Sequence, residues 1–526
     1  MKNATPKTSF TGIDLFAGIG GFRIALEALG GNCIHFSEIN RDAIEAYCTH
    51  FGESEDRNLG DITKVTALPP HDILTAGVPC QSWSIAGRNL GFDDDRGQLW
   101  NDTLFLLHQA RPKAFIFENV KGLADPRNQQ ALQYILQRIR DAGYFAKHFV
   151  LTSSDYGVPQ DRVRVYIVGF LQERYLQKFR LPSPRPCHLK LRDVISIPHG
   201  EFGQQAVGSR DLFGHPVQEK RRYRKAHGMN DFFLFNDIRN GPTTIHSWDL
   251  KPTTERQKAI CLLMLRNRRK PAYGCLDGNP LSLEHLQQLD NSIEKVELDA
   301  LVAMGILKTV FYSFAIRSGN APLSDAESMI VGNIAAGCTS LDALRECRDL
   351  RFAKVSLNKV IAAMVAKSFL DCVEIRYEFR YTKISTGIEG VNRIFLPQSE
   401  AFPTLVASDT NDFVALKDIQ ADTAEEYKQL FLQEIYHKNL YRKISKEESC
   451  QIQGFPISFK LPENRSRWMK LLGNSVSVPV IQTLVAAIAE TGCFSEPKIS
   501  PLPFSAAVDP MPSIDRTSVL VLNHFQ

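Results

Sequence analysis

Ser9-Phe-Thr-Gly-Ile-Asp-Leu-Phe-Ala-Gly-Ile-Gly-Gly21 is the stretch that decides how this chain folds. Its apolar run, Ser9–Phe16, predicts a strand, its glycines a tight turn, and the amphipathic residues through Ala28 a helix. Glycine at such a turn lets the backbone approach a ligand closely. A dinucleotide site would read G-x-G-x-x-G. Here Gly18-x-Gly20 is followed by Arg23 where the third glycine should fall, which disfavours NAD. Outward from this point, Cys33–Ser37 reads as a second strand and Arg41–His50 as a helix. Asp72–Ala76, Ala114–Phe117, Tyr144–Leu151 and Val163–Phe170 read as further strands, with helical segments near 100–110 and 129–142. Strands alternating with helices predict an α/β domain around a mostly parallel sheet.

The alternation stops at residues 180–190, a linker with three prolines. At 526 residues the chain exceeds one ordinary domain. We expect a catalytic, cofactor-binding domain over 1–180, completed by 466–494, an inserted recognition domain over 186–465, and a Pro-rich tail over 495–526. Within the insert, Ser340–Arg348, Ser356–Ala366 and Cys372–Tyr381 read as helix, helix and strand, the order of a winged helix-turn-helix. No internal repeat is evident. The net charge of +4 is too small to argue for a nucleic-acid partner. Between Glu219 and Lys270, however, 13 Lys/Arg face 5 Asp/Glu. Eleven cysteines without a C-x-x-C pair give neither a disulfide scaffold nor a zinc signature, so no metal is expected. The first ten residues lack an apolar signal segment, and no run of about 18 apolar residues is evident. The expectation is a cytoplasmic protein with no membrane partner.

Four stretches carry chemistry. The first is the glycine turn with two acids: Glu38, at the end of the second strand, can accept from ribose hydroxyls, and Asp61 from an adenine amine. The second is Gly77-Val-Pro-Cys80-Gln-Ser-Trp-Ser84, where Cys80 leaves the carboxyl end of a strand and is suited to nucleophilic attack. The loop after it carries Gly87, Gly91, Gly97 and Asp93–Asp95, a lid candidate. The third is Glu118-Asn-Val120, whose carboxyl follows Ala-Phe-Ile-Phe and is poorly solvated over part of its surface, favouring a proton-donating role. The fourth is Gln160-Asp-Arg-Val-Arg164, where strand alternation puts Arg162 and Arg164 on one face.

These pieces, in this order, resemble the cytosine-5 DNA methyltransferase family of the prokaryotic restriction-modification type. Asp14–Gly21 is similar to the family's first motif, Gly77–Ser84 to its Pro-Cys-Gln motif, Glu118–Val120 to Glu-Asn-Val and Gln160–Arg164 to Gln-x-Arg-x-Arg. Tyr441–Pro456 and Gly473-Asn-Ser-Val476 resemble the ninth and tenth motifs. The resemblance implies a Rossmann-like S-adenosylmethionine-dependent fold with a mixed sheet and a large, mostly helical recognition insert. It implies Cys80 as the nucleophile on cytosine C6, Glu118 at N3 and the exocyclic amine, and Arg164 at O2 with Arg162 supporting. S-adenosylmethionine is the implied cofactor: Phe16 would stack on its adenine, Gly18 and Gly20 line its methionine part, Glu38 hold its ribose and Asp61 its adenine amine. Leu99 and Asn474 would add contacts, as would Ala17, Ile62, Pro79 and Ser475. Ile39 stands where relatives often carry an aromatic.

Double-stranded DNA is the implied partner, with its cytosine flipped into the pocket. Gln81 and the 84–97 loop, including Ser84 and Arg88, would fill the gap, and Thr404-Leu405 would close the recognition region. Lys220–Lys270 is the expected source of phosphate contacts. The enzyme would act as a monomer alongside a separate restriction endonuclease. The rivals are an RNA methyltransferase of the same family, disfavoured by the long insert, and a non-catalytic DNA-binding scaffold, disfavoured by the presence of Cys80, Glu118 and Arg164 together.

Overall fold

The structure is a computed structural model that describes residues 9–79, 95–184, 189–196, 229–230, 232–235, 238–274, 276, 278–317, 322–381 and 388–497. The basic residues 220–228 and most of the proline-rich tail lie outside these.

The first part of the chain runs β1 (Phe10–Leu15), α1 (Gly21–Ala28), β2 (Gly31–Ser37), α2 (Arg41–Phe51), β3 (Ile73–Gly77), α3 (Asp95–Ala110), β4 (Ala114–Val120), α4 (Gln129–Asp141), β5 (Phe145–Thr152), β6 (Gln160–Asp161), β7 (Val163–Phe170) and α5 (Glu173–Lys178). Six of these strands form one sheet in the order β2-β1-β3-β4-β7-β5. β1 to β4 are mutually parallel, while β7 runs antiparallel to both β4 and β5. The central strands are apolar on both faces because helices cover both, as parallel sheets require. β4 extends past the expected Phe117 and carries Glu118 and Asn119 within the ladder.

The insert is mostly helical, as expected, and also carries β-structure of its own. β8 (Phe232–Leu234), β11 (Arg393–Phe395), β13 (Asp412–Ala415) and β14 (Tyr441–Arg442) form a second sheet, in the order β14-β13-β11-β8. Its core joins Phe233, Ile394 and Ala415 to Tyr427 and Phe431 of α13 (Ala424–Phe431). Between β8 and β11 lie α6 (Glu255–Asn267), α7 (Leu283–Leu289), α8 (Lys295–Ala303) and β9 (Leu307–Ile316). These are followed by α9 (Asp325–Ala335), α10 (Leu341–Glu346), α11 (Arg348–Phe352), α12 (Leu357–Ala366) and β10 (Leu370–Phe379). The expected helix-helix-strand order over 340–381 is therefore present, with α11 between the two helices.

Contrary to the sequence reading, this region is a repeat. Each half is three principal helices followed by a ten-residue strand, and β9 and β10 pair antiparallel. The register is two-fold: Leu307 faces Phe379 and Leu370 faces Ile316, so the same number of positions separates both pairs of counterparts. Serine caps α7 (Ser282) and α10 (Ser340) alike. A left-handed residue follows α8 (Gly305, φ 71°) and, at the matching position after α12, Ser368 (φ 59°). The residue before each capping serine bonds the other half's strand: Leu281 N–H donates to Tyr377 O and Phe314 N–H to Thr339 O, both at 2.9 Å. Two cores result, one around Leu298, Leu301 and Ile306, the other around Ile361, Met364 and Phe369.

β12 (Phe402–Pro403) then pairs with β6, and the chain returns through α14 (Lys446–Gln453), α15 (Arg465–Asn474) and α16 (Val478–Glu490). One face of the main sheet packs Phe22 and Leu26 of α1 against Ile481, Leu484, Val485 and Ile488 of α16. The other packs Leu74, Phe115 and Ile167 against Trp100, Leu104 and Leu107 of α3 and Ile135 and Ile139 of α4. Arg465–Glu490 is long and apolar enough to cross a membrane, against the sequence expectation, but 72% of its apolar window is buried inside the fold. Extended backbone at Ser475 and Ser477 also interrupts it.

Candidate active site at the carboxyl edge of the sheet

β1 ends in a turn that runs through the left-handed region at Phe16 (φ 53°), Gly18 (φ 54°) and Gly20 (φ 86°). The two glycines serve different ends. A Cβ at Gly18 would meet nothing within 4 Å, so the turn opens onto free space there. A Cβ at Gly20 would lie 2.5 Å from the Phe51 ring, and one at Gly21 2.7 Å from Val476. Gly20 thus lets the turn pack closely on α2. Ala17 is buried and its N–H donates to Ser37 O at 2.9 Å, locking the ends of β1 and β2 together.

Glu38 is half-buried beside this turn. Its carboxylate accepts from the backbone N–H groups of Gly18, Ile39 and Asn40, each at 2.8 Å. It therefore already orders the turn. Ile39, next to it, is 70% exposed, an apolar surface on the same rim. Asp61 caps a short turn, accepting from Thr63 N–H at 3.1 Å and Thr63 Oγ1 at 2.8 Å, and these bonds hold its carboxyl below the usual range. Ile62 is buried, whereas Leu99 packs half-buried against the same core.

β3 delivers Val78 and Pro79 to this edge. The next residue, Cys80, and with it Gln81, Ser84 and Arg88, lie outside the described residues. Neighbouring β4 brings Glu118, 9% exposed, and β7 brings Arg164, whose Nε stands 3.0 Å from Glu118 Oε1. The approach is off the N–H axis, so Oε1 has no hydrogen bond within the described chain. Asn119, which sequence reasoning left without a role, is buried and donates its side-chain amide to Val78 O at 3.1 Å. It ties the end of β4 to the strand end that leads into Cys80. The Glu-Asn-Val motif held that signal only as a pattern, because the carbonyl it grips is 41 residues away.

Arg162 does not share a partner with Arg164. The chain leaves the ladder between β6 and β7, and the buried guanidinium of Arg162 turns to donate to Leu405 O at 3.1 Å, Gly473 O at 3.2 Å and Ser475 O. Three sequence-distant segments meet on this one side chain. Thr404 Oγ1 donates to Asp161 O at 2.6 Å, so Thr404 too is tied to the same strand. The Leu405 side chain is 3% exposed in the main core, which corrects its expected DNA contact: its apolar surface is already spent on packing. Gly473 lies so close to the Val406–Ala407 backbone that a Cβ would sit 2.3 Å from Val406 C. Gln453 donates to Ser475 O at 3.0 Å and Val476 O at 3.2 Å, fixing the returning segment. On it, Ser475 is buried against Gly21 while Asn474 is exposed. Among the described residues, no group of three or more His, Cys, Asp or Glu side chains converges as a metal site.

Comparison with known proteins gives this edge a family. The chain is 40% identical over 484 residues to the Type II methyltransferase M.HgiBI of Herpetosiphon aurantiacus, an alignment covering 91% of this chain and 96% of that protein. It is 38% identical over 494 residues to M.HgiCII of the same organism, covering 93% and 99%. Against M.HhaI of Haemophilus parahaemolyticus the match is 38% over 202 residues, 38% of this chain and 61% of that one. The family model described as C-5 cytosine-specific DNA methylase matches residues 10–314 and 351–490, and the chain belongs to that family.

Proposed function

We propose that the chain transfers a methyl group from S-adenosylmethionine to C5 of a cytosine in a specific double-stranded DNA sequence, as the protective methylase of a restriction-modification system. The observation that carries this reading is strand order. Because the order is β2-β1-β3-β4-β7, Glu38, the Gly18 turn, the exit to Cys80, Glu118 and Arg164 follow one another along a single edge. The strand end at Pro79, which leads into Cys80, thus lies between the residues suited to a nucleoside and those suited to a polar base. The names of the relatives, Type II methyltransferases, support the restriction-modification setting. We read the enzyme as a cytoplasmic monomer working beside a separate endonuclease.

The residues present fit the donor. Gly18 leaves the turn open, Phe16 is half-buried and Ile39 exposed at the same edge, and Asn474 is exposed on the returning segment. Glu38, though it accepts from three N–H groups, keeps lone pairs for ribose hydroxyls. Asp61 would take the adenine amine, with Ala17, Ile62, Pro79, Leu99 and Ser475 shaping the walls. When bound, S-adenosylmethionine supplies an electrophilic methyl group.

Cytosine C5 is a weak nucleophile, so the chain must activate the ring. The Cys80 thiolate adds to C6, and the electron pair displaced from the C5–C6 bond makes C5 nucleophilic. Glu118 holds N3 and the exocyclic amine while Arg164, kept in place by Glu118, faces O2, so charge is waiting where density builds up. Arg162 and Asn119 act through others: one joins the returning segment and Thr404-Leu405 to the strand, the other positions the approach to Cys80. After transfer the C5 proton leaves, the C6–S bond breaks and the thiolate is restored. The base is reached by flipping, with Gln81, Ser84 and Arg88 on the DNA side.

The test is bisulfite sequencing of genomic DNA and tRNA from a methylase-free host expressing the protein. Protection at one short recurring DNA sequence is the expected result, lost in Cys80→Ala with DNA affinity largely retained. Protection confined to tRNA, or methylation by the Cys80→Ala variant, would overturn the reading.

A further inference from the structure

Two cysteines of the second half of the repeat meet: Cys347 Sγ stands 3.5 Å from Cys338 Sγ. Cys338 lies in the turn between α9 and α10, and Cys347 separates α10 from α11. Both are half-buried at the rim of the second core. Among the described residues no other two cysteine sulfurs are in contact. Cys261, Cys450 and Cys493 are each buried apart, and burial pushes their thiols up to about 12, 12 and 11. The backbone plan of the repeat does not require the pair. Counted from the capping serines, the first half has Pro280 where the second has Cys338, and Leu289 where it has Cys347. The approach of the two sulfurs is held from outside. Asn333 of α9 donates its side-chain amide to Asp349 Oδ2 of α11 at 2.7 Å, and Cys338 N–H donates to Asn333 O at 3.0 Å. Both cysteines also sit off the helices, on backbone that can adjust. A disulfide is about 2.05 Å long, so closure needs an approach of about 1.5 Å, within the reach of side-chain rotation. Solvent reaches the site: Ala336, Gly337 and Thr339 are exposed, and a Cβ at Gly337 would meet nothing within 4 Å.

We propose that Cys338 and Cys347 are a reversible dithiol–disulfide site, oxidised by low-molecular-weight disulfides, whose closure staples α10 in place. Cys338 is the attacking sulfur. Cys347 carries the proton, with two acceptors in reach: Cys338 Sγ, and Ala343 O at 3.3 Å. Burial, the bond to Cys338 and the Cys338 charge push the Cys347 thiol up to about 11, so Cys338 ionises first. Its thiolate attacks one sulfur of the small disulfide, forming a mixed disulfide and releasing one thiolate. Cys347 then attacks Cys338 Sγ, the Cys338–Cys347 bond forms, and the second small thiolate leaves. The two protein protons pass to the two released thiolates, and the small disulfide takes up both electrons. In a reducing compartment such a bond is transient, and excess thiol reverses it. The closed loop holds all of α10, which reaches both halves of the repeat. Its Asp342 accepts from Tyr312 Oη of β9 at 2.8 Å, and a Cβ at Gly274, ahead of α7, would lie 2.9 Å from Asp342 Oδ2. Oxidation therefore rigidifies the junction between the two halves.

The experiment treats the native full-length chain with oxidised glutathione and maps its cysteines by peptide mass spectrometry, for wild type, Cys338→Ala and Cys347→Ala. Wild type should yield a Cys338–Cys347 peptide pair that is two hydrogens lighter and is lost on adding dithiothreitol. Cys347→Ala should instead trap glutathione on Cys338, while Cys338→Ala should leave Cys347 unmodified. In oxidised wild type, amide exchange in α10 should slow by about 10-fold or more, with the matching α7 unchanged. Free thiols at both positions in treated wild type overturn the proposal, as does a bond from either one to a second chain. Glutathione trapped on Cys347 but not on Cys338 overturns the assignment of the attacking sulfur. Unchanged exchange in α10 after the bond has formed overturns the staple. None of these readouts involves methyl transfer, so the result is independent of the activity proposed above.

Discussion

Asp14 is fully buried at the end of β1, with Thr75 Oγ1 donating to its Oδ1 at 2.9 Å and Oδ2 without a hydrogen bond among the described residues. Burial pushes its carboxyl from 3.8 up to about 8; the Thr75 bond opposes this, and the nearby Glu38 charge adds to it. Because the folded-state value is raised, the folded chain keeps a proton that the unfolded chain has released. The stability this gives is complete below 3.8 and is lost as pH rises through about 8. Asp14→Asn cannot titrate, so the thermal midpoint of wild type should drop relative to the variant between about pH 4 and pH 8. Parallel midpoint curves would disprove the assignment. The sequence made Asp14 visible as the start of a motif, yet nothing local distinguishes a buried acid from a ligand-facing one. That difference is set by β2 and β3 on either side of it, where Asp14 pairs with Phe36 and Thr75.

Between elements, the two arginines after β6 show where pattern reading stops. Alternation puts Arg162 and Arg164 together, but it holds only within an unbroken strand, and here β6 ends at Asp161 and β7 starts at Val163. Arg162 bonds carbonyls more than 240 positions away, at Leu405 and Gly473. Losing it leaves several buried acceptors unpaired, at about 1–3 kcal/mol each. Arg162→Met should therefore lower unfolding free energy by on the order of 3 kcal/mol, and it should weaken cofactor and DNA binding together because it frees both segments. Arg164→Ala leaves the largely buried Glu118 carboxylate without its cation, so it too should cost on the order of 3 kcal/mol of stability, but in addition kcat should fall by about 100-fold through loss of charge at the base. Urea titration beside single-turnover rates at saturating substrate separates the two, and an equal loss of single-turnover rate in both variants would refute the division of labour. The strands of the main sheet were legible because they are short, apolar on both faces and bounded by glycines. The repeat in the insert was not, because its halves share caps, a left-handed position and a register, which leave almost no identity in the residues between.

At the scale of the molecule, the site depends on a segment that returns to the sheet after the insert. α16 buries Val478, Val480, Ile481, Leu484, Val485, Ala487 and Ile488 against the sheet and α1, and Phe494 stacks on Phe10 of β1 at 4.3 Å. Six of those side chains are Val, Leu or Ile, each worth about 1.5–3 kcal/mol on burial, so the helix contributes on the order of 10 kcal/mol. That is as large as the net stability of a typical domain. The segment just before it, at Ser475 and Val476, also packs on Gly21, so the same return closes the glycine turn. By contrast, the cores on the two sides of the β9–β10 ribbon draw only on residues between Trp248 and Phe379. A cavity in α16 should therefore loosen the sheet and leave the ribbon intact. Ile481→Ala should cost about 2–5 kcal/mol. It should speed amide exchange in β1, β3 and β4 together, with β9 and β10 exchanging as in wild type. Faster exchange in the ribbon as well would mean that the insert unfolds as one unit with the sheet, and that its two cores do not stand by themselves.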